Sequence, residues 1–537
     1  MAEPRHVDLL VTNAAIATMN PSQPIATAMA VDDDRIVAVG DSALLQDFTA
    51  RRSVDLRGGF VMPGFIDTHT HLRGDAPWHL DLTSVRSVAE IRALIAARAA
   101  KLPTGHWITG YGWSEDELGE GRRPLRDDLD DAAPGNPVGL TRAGGHSAVF
   151  NSTALAMARI NEDSPQPESG VIERGDDGRL NGIIRERHDL VLDYAPKASD
   201  ALVRDSLINN LRALFRLGIT SIVQAADSID HYAEWQHIYR LHGGTLPRAS
   251  IQVAWEGNER MHASGLITGQ GDKHLRVGAI KIFADGGFTG PAAYTTKPYK
   301  GMGDYRGALT MAPGTLYSTL EAAHVAGWQI GIHAIGDAAI ELVVDTLAQI
   351  LETHPRTNHR HYLNHFTIKP DDTTMRTMAA NSIAITQQPN FTYTLEGRYA
   401  AYLDAPSLAS NNPLRSPLRH GIHLALSSDI LPLGPLLGIR TAVTRAGMSG
   451  TVHGADERLT VDEALAGYTR QGAWLTFEER DKGMLAPGML ADFVVLGADP
   501  RRIDPLTINA IAVEQTWLGG RQVWPIPPLA QPSEAGG

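Results

Sequence analysis

Gly64-Phe65-Ile66-Asp67-Thr68-His69-Thr70-His71 reads as the end of a buried strand that delivers two imidazoles to one point. In an extended strand alternate side chains share a face, so His69 and His71 project together while Thr68 and Thr70 face the other side. Such a pair can hold one metal ion. The residues just before it, Gly58-Gly59-Phe60-Val61-Met62-Pro63, are apolar between Gly and Pro, as expected for an interior strand entered from another structural unit. His-x-His alone is a weak signal, since hydrogen-bonded or surface histidines are common. Its weight comes from residues far along the chain.

At 537 residues the chain exceeds a single ordinary core, which stops growing near about 250–300 residues. The formal net charge is −13 and acids and bases are interspersed, which argues against a nucleic-acid partner or an anionic membrane surface. Cysteine is absent, so any metal must be held by nitrogen and oxygen rather than thiolate. No run approaches the ~18 apolar residues of a membrane span, and the first residues lack a basic segment followed by an apolar one. The expectation is a cytoplasmic protein acting on a small molecule.

Both ends are rich in short strand-like runs. Asp8-Leu9-Leu10-Val11-Thr12 and Arg35-Ile36-Val37-Ala38-Val39-Gly40 lie at one end, Ala491-Asp492-Phe493-Val494-Val495-Leu496 and residues 517–523 at the other. Neither end can cover its own apolar face, so residues 1–62 and 478–537 are expected to combine into one small β-sandwich. Between them, apolar runs alternate with helical patterns: one strand over Phe60 to Asp67, then runs near 220–224, 250–255, 278–283, 328–333, 361–365, 382–386 and 423–427. Eight strand and helix units predict a (β/α)8 TIM barrel over residues 63–477, with its active site at the C-terminal ends of the strands. The gap between the first and second strands requires a large insertion at about 75–200, placed to shape a substrate pocket or simply to decorate the barrel. Thr460-Val461-Asp462-Glu463 is a capping box that starts the last barrel helix.

Four polar residues stand where those buried runs end: Lys281, His333, His365 and Asp429. With His69 and His71 they form a nitrogen and oxygen set that suits zinc, or manganese, iron or nickel by the same ligand logic. Lys281 is the unusual member, because a buried ammonium cannot ligate a cation. A neutral lysine can add carbon dioxide to give an anionic carbamate that bridges two metals; the alternative is a lysine paired with Asp285 or Asp429. Asp429 can bind a metal and move a proton between water and leaving group, or simply cap a helix. Trp113, Phe288, Tyr294, Phe391 and Tyr393 are candidate pocket walls, and Arg142 and Arg398 candidate carboxylate readers, although core packing and solvated surface are the ordinary roles of such residues.

The ordered set His69-x-His71, Lys281, His333, His365, Asp429 resembles the amidohydrolase superfamily, and the surrounding sequence resembles its YtcJ-like branch, amidohydrolase family 3. Matching stretches include Pro63 to His71, Gly144-Gly145-His146-Ser147, Lys281 to Gly286, His333 to Ala338, Ser428-Asp429 and Gly488 with Ala491-Asp492. The resemblance implies a composite sandwich and a TIM barrel with one or two metals, zinc most often. His69, His71 and Asp429 would hold one ion, His333 and His365 the second, and carboxylated Lys281 would bridge them. It also makes His146 a candidate contact to substrate or metal, and it allows a homodimer. One departure is Asn364, which precedes His365 where relatives are expected to carry an acid, leaving the support of that imidazole open.

The activity so implied is hydrolysis of a non-peptide carbon–nitrogen bond in an amide, N-formyl or cyclic amide, by a metal-activated hydroxide with Asp429 as general acid and base. The alternatives are metal-dependent deamination of an amine or heterocycle, which usually needs a single metal, and a non-catalytic assembly role. An intact ligand set around a buried lysine argues against the last.

Overall fold

Eight parallel strands, neighbours in the sheet in the order they occur in the chain, form the barrel: β1 Phe65–Thr70, β2 Ile219–Asp227, β3 Arg248–Ala254, β4 Leu275–Phe283, β5 Ile330–Ala334, β6 Tyr362–His365, β7 Ala384–Gln387 and β8 Leu424–Leu426. The structure is a computed structural model that describes residues 3–526, apart from 84, 116–117, 144, 146, 168–169, 289–290 and 430–432. Just past β8, a parallel bridge between Thr70 and Asp429 joins the last strand to the first; there Asp429 N–H donates to the His69 carbonyl at 2.8 Å. The α/β barrel expected from the alternation of runs is the observed fold.

Burial explains why the runs are apolar: β5 and β7 are buried at every residue, as parallel strands with covered faces must be. The barrel interior also takes polar groups in hydrogen-bonded pairs. Gln252 donates to the Tyr362 hydroxyl, and the space for both comes from Gly331, whose absent Cβ would lie 2.3 Å from the Gln252 amide nitrogen.

One boundary differs from expectation. Phe60 to Asp67 is not one strand but parts of two. Phe60–Pro63 pairs antiparallel with Phe493–Leu496 in a sheet of the sandwich. At Gly64 the chain changes partner: Gly64 N–H donates to Asp492 and Phe65 N–H to Gly218. Only glycine fits, because a Cβ there would lie 2.3 Å from the Thr220 side chain.

The terminal pieces form two sheets. One contains Arg5–Thr12, Ala28–Asp32, Arg35–Gly40 and Phe48–Asp55; the other joins Ala15–Ala17, Ile25–Ala26 and Phe60–Pro63 to Phe493–Leu496, Val513–Leu518 and Arg521–Trp524. Leu9, Val11, Met29 and Val31 from the first meet Val61, Phe493, Val495 and Trp517 from the second in one apolar cluster. A buried bidentate pair, Arg248 with Asp492 at 2.6 and 2.9 Å, ties β3 to the sandwich. The Thr460–Glu463 capping box is present, and the helix it starts is in two pieces, Val461–Gly467 and Arg470–Leu475.

Residues 73–209 form a compact unit of their own. Its six-stranded sheet runs Val171–Arg174, Leu180–Arg185, Ser147–Phe150, Val138–Arg142, Ile108–Trp113, His79–Asp81. Trp113 belongs to the core of this unit, its indole N–H donating to Leu140 O, and Arg142 pairs with Glu115 at 2.7 Å. Trp113 is thus a core residue and Arg142 has an ionic partner within the unit. Among the described residues no helix is long and apolar enough to cross a membrane.

At the N-terminal ends of β5 and β6 lies a network of neutral histidines. His361 Nδ1 accepts from Ile330 N–H and its Nε2 lies 2.8 Å from His324 Nδ1, while His361 N–H donates to His359 Nδ1. His324 and His359 spend their Nε2 atoms on the carbonyls of His354 and Asn381. Burial, with Arg356 and the neighbouring imidazoles, holds His361 well below its ordinary range and His359 down at about 4. Unfolded histidines take protons from about pH 6.5 downward, so this contribution to stability is complete above that pH and is lost as pH falls toward 4. His359→Gln keeps an acceptor and a donor but no titrating proton. The urea midpoint of the unaltered protein should therefore fall more between pH 7.5 and 5 than that of the variant, by about 2 kcal/mol in free energy; equal falls would contradict this.

Candidate functional site

β1 places His69 and His71 on one side as alternation requires, their Nε2 atoms 3.2 Å apart. Thr68 and Thr70 hydrogen-bond away from them, to Leu426 O and Val223 O. Lys281, two residues before the end of β4, brings its Nζ to 3.4 Å from His69 Nε2. His333 on β5 and His365 at the end of β6 have ring centroids 4.5 Å apart, and the His365 ring lies 5.0 Å from that of His69. Asp429 completes the group, with Oδ1 3.5 Å from His71 Nε2 and Oδ2 3.7 Å from His365 Nδ1. The structure thus gathers all six sequence-selected side chains at the C-terminal end of the barrel. His146, the seventh, lies outside the described residues.

The donor set fits a divalent ion. His69, His365 and Asp429 are buried and each offers a ligand atom, all within 4.8 Å of one another, and nitrogen with carboxylate oxygen is a zinc-type set. Burial, then the charge of Lys281, holds His69 far below its usual range and His333 near 3. Burial and the His333 ring do the same for His365. These three imidazoles are therefore neutral and keep lone pairs to give. Burial pushes the Lys281 amine down and the Asp429 carboxyl up, each opposed by the charge of the other.

For Lys281 the pairing with Asp429 stands as an alternative, since each charge acts on the other; the pairing with Asp285 and the helix cap at Asp429 find no support. Asp285 is not the partner of Lys281: its carboxylate accepts from the backbone N–H groups of Tyr294, Ile335 and Gly336 at 2.8 to 3.0 Å and stands 3.7 Å from His333 Nε2. Asp429 caps no helix in view, since the next described one, Pro435–Thr444, has Gly434 at its N-cap. His359, His361, His420 and His423 bond outside this group.

Asn364 corrects an expectation. Its Oδ1 lies 2.6 Å from Nδ1 of His69, not of the adjacent His365, whose Nδ1 meets Gln388 Oε1 at 2.8 Å. Sequence reasoning missed Gln388 and Asp67. Asp67 is fully buried and accepts from Ser428 N–H at 3.0 Å; the same alternation that pairs His69 with His71 includes it. Of the pocket candidates, Phe288 and Phe391 are buried in an aromatic cluster with Tyr299 and Tyr399, and Phe391 also stacks on His365 at 6.4 Å. Phe283, not selected from the sequence, is 40% exposed, with its ring 5.3 Å from that of His333.

The amidohydrolase family model matches residues 52–524. Putative amidohydrolase YtcJ of Bacillus subtilis (strain 168) is 29% identical over 515 residues, covering 93% of this chain and 96% of that protein. N-substituted formamide deformylase of Arthrobacter pascens is 28% identical over 539 residues, covering 96% and 97%. The crystal structure of an uncharacterized metal-dependent hydrolase from Pyrococcus horikoshii OT3 shares the fold, with a TM-score of 0.71 at 24% identity over 93% of this chain and 99% of that one.

Asp285 holds both loops that frame His333, so Asp285→Ala should leave two buried N–H groups and one half-buried N–H group without an acceptor and cost about 3 kcal/mol. Thermal unfolding should place Asp285→Asn, which keeps an acceptor oxygen, between that variant and the unaltered protein. A melting point unchanged in Asp285→Ala would show that these bonds do not hold the loops.

Proposed function

We propose, from the premise that this chain belongs to the amidohydrolase family and is a metal-dependent hydrolase acting on carbon–nitrogen bonds, that its substrate is an amide, N-formyl amide or cyclic amide. The observation that carries this is the meeting of four imidazoles, Lys281 and Asp429 at the end of the barrel where TIM-barrel active sites lie. The Arthrobacter pascens relative, a formamide deformylase, supports an N-formyl or related amide.

In this reading His69, His71 and Asp429 hold one divalent ion, zinc by preference, and His333 and His365 a second. Lys281, whose amine burial brings down to about 7, would add carbon dioxide and lose a proton to give a carbamate, an anionic oxygen donor for such ions. Bound there, such an ion supplies a low-pKa water and polarises a carbonyl. The chain's own residues do the rest. Asp429 takes the proton of the attacking water and returns it to the departing nitrogen. Phe283 offers an apolar surface beside His333 for a substituent of the substrate.

The alternative is deamination with a single ion, and one observation favours it: His69, His365 and Asp429 form one ligand group that crosses the division between two ions. Metal stoichiometry separates the two. A purified, metal-analysed preparation with two equivalents should turn over members of a panel of N-formyl, N-acyl and cyclic amides; one equivalent, with ammonia released from amines or heterocycles only, would favour deamination.

Asp429→Asn should keep most of its metal but lose at least about 100-fold in kcat, the scale of general acid–base catalysis; retained activity would remove Asp429 from that role. Lys281→Ala should lose at least one metal equivalent and regain part of its activity with short carboxylic acids. Full metal occupancy in that variant would count against the carbamate.

A further inference from the structure

We propose that Asn364 and Gln388 are positioning residues, uncharged amides whose oxygens fix the tautomers of His69 and His365 and so decide which imidazole nitrogen is free to ligate. The inference rests on the metal-dependent reading above, and deepens it.

An amide oxygen only accepts. With Asn364 Oδ1 at 2.6 Å, His69 Nδ1 must carry the proton. Its Nε2 then turns a lone pair toward His71 Nε2 at 3.2 Å and Lys281 Nζ at 3.4 Å. Turning the Asn364 amide around would put N–H on His69 Nε2 instead, aimed at the ligand cluster. Gln388 is anchored more fully. Its Nε2 donates to Ser427 Oγ at 2.9 Å, and that hydroxyl lies 3.4 Å from the Gln387 carbonyl, to which it can only donate. The Gln388 oxygen is thereby left to face His365 Nδ1 at 2.8 Å, and the lone pair of His365 resides on Nε2. His333 follows the same rule with a backbone group: its Nε2 faces the Gly286 carbonyl at 3.4 Å.

All three hydrogen-bond partners are neutral oxygens, with the carboxylates of Asp429 and Asp285 farther off, 3.7 Å from His365 Nδ1 and His333 Nε2. A carboxylate in such a place makes an imidazole a stronger ligand as well as orienting it; an amide orients it and adds no charge. Asn364 and Gln388 are both fully buried, so water cannot replace either oxygen. Removing the oxygen frees the tautomer and the ring, whereas supplying a carboxylate in its place restores the acceptor and strengthens the ligand.

The test is zinc affinity, by competition with a chromophoric chelator, on the full chain, with the visible spectrum of the cobalt(II)-loaded protein as a second readout. Asn364→Leu and Gln388→Met, close in shape but without the acceptor, should bind zinc about 10- to 100-fold more weakly, the usual effect of losing such a partner, and should alter the cobalt bands. Asn364→Asp should bind zinc at least as tightly as the unaltered protein. A purely structural role would lower the melting point of the metal-free variants and leave Asn364→Asp no better than Asn364→Leu. Equal zinc affinity in the Leu and Met variants, or an Asp variant as weak as the Leu variant, would overturn the proposal. If the unaltered protein itself binds neither zinc nor cobalt, the proposed function falls, and this inference with it.

Discussion

The seam between the last and first barrel strands carries the rest of the structure. Asp429 N–H donates to the His69 carbonyl at 2.8 Å, and Ser428 N–H to the Asp67 carboxylate at 3.0 Å, across 361 residues of chain. These two bonds put the Asp429 carboxylate beside His71 and His365. Burial pushes Asp67 up to about 7 against the pull of its hydrogen bonds, the cost of keeping a carboxyl group where apolar side chains would pack more easily. Asp429 and His365 also sit at positive φ, +61° and +79°. Left-handed backbone at non-glycine residues costs about 1 kcal/mol or more each, and here it falls on two of the grouped ligands. Such strain persists only where the surrounding structure fixes it.

Around the seam the sequence solves two opposed problems. A closed barrel wants apolar strands, and a metal centre wants polar atoms at their ends. The chain separates them along each strand: β5 runs Ile330-Gly331-Ile332 before His333, and β6 runs Tyr362-Leu363 before Asn364 and His365. At the opposite end the strands start among the neutral histidines, where His361 and His359 bond to backbone and to each other. The sandwich is tied on by the buried Arg248–Asp492 pair, well away in sequence from any ligand.

Much of this was legible before any coordinates, because it depends on periodicity. All eight barrel runs, the pairing of His69 with His71, the capping box at Thr460 and the gathering of Lys281, His333, His365 and Asp429 follow from patterns of two or of 3.6 residues and from where apolar runs end. What was not legible depends on partners distant in sequence. The break at Gly64 is a change of partner from Asp492 to Gly218, invisible in a continuous apolar run. Asn364 supports His69 across the barrel, while its neighbour in sequence turns to Gln388. The core around Trp113 and the ion pair of Arg142 with Glu115 also join residues distant in sequence.

Everything chemical here requires that the imidazoles and Asp429 be what binds the metal at the end of the barrel. X-ray absorption of the zinc-loaded protein tests that most directly. The account predicts a nitrogen and oxygen shell with the outer-shell scattering of at least two imidazoles. A shell of oxygens without imidazole scattering would mean that zinc sits elsewhere, and would contradict it.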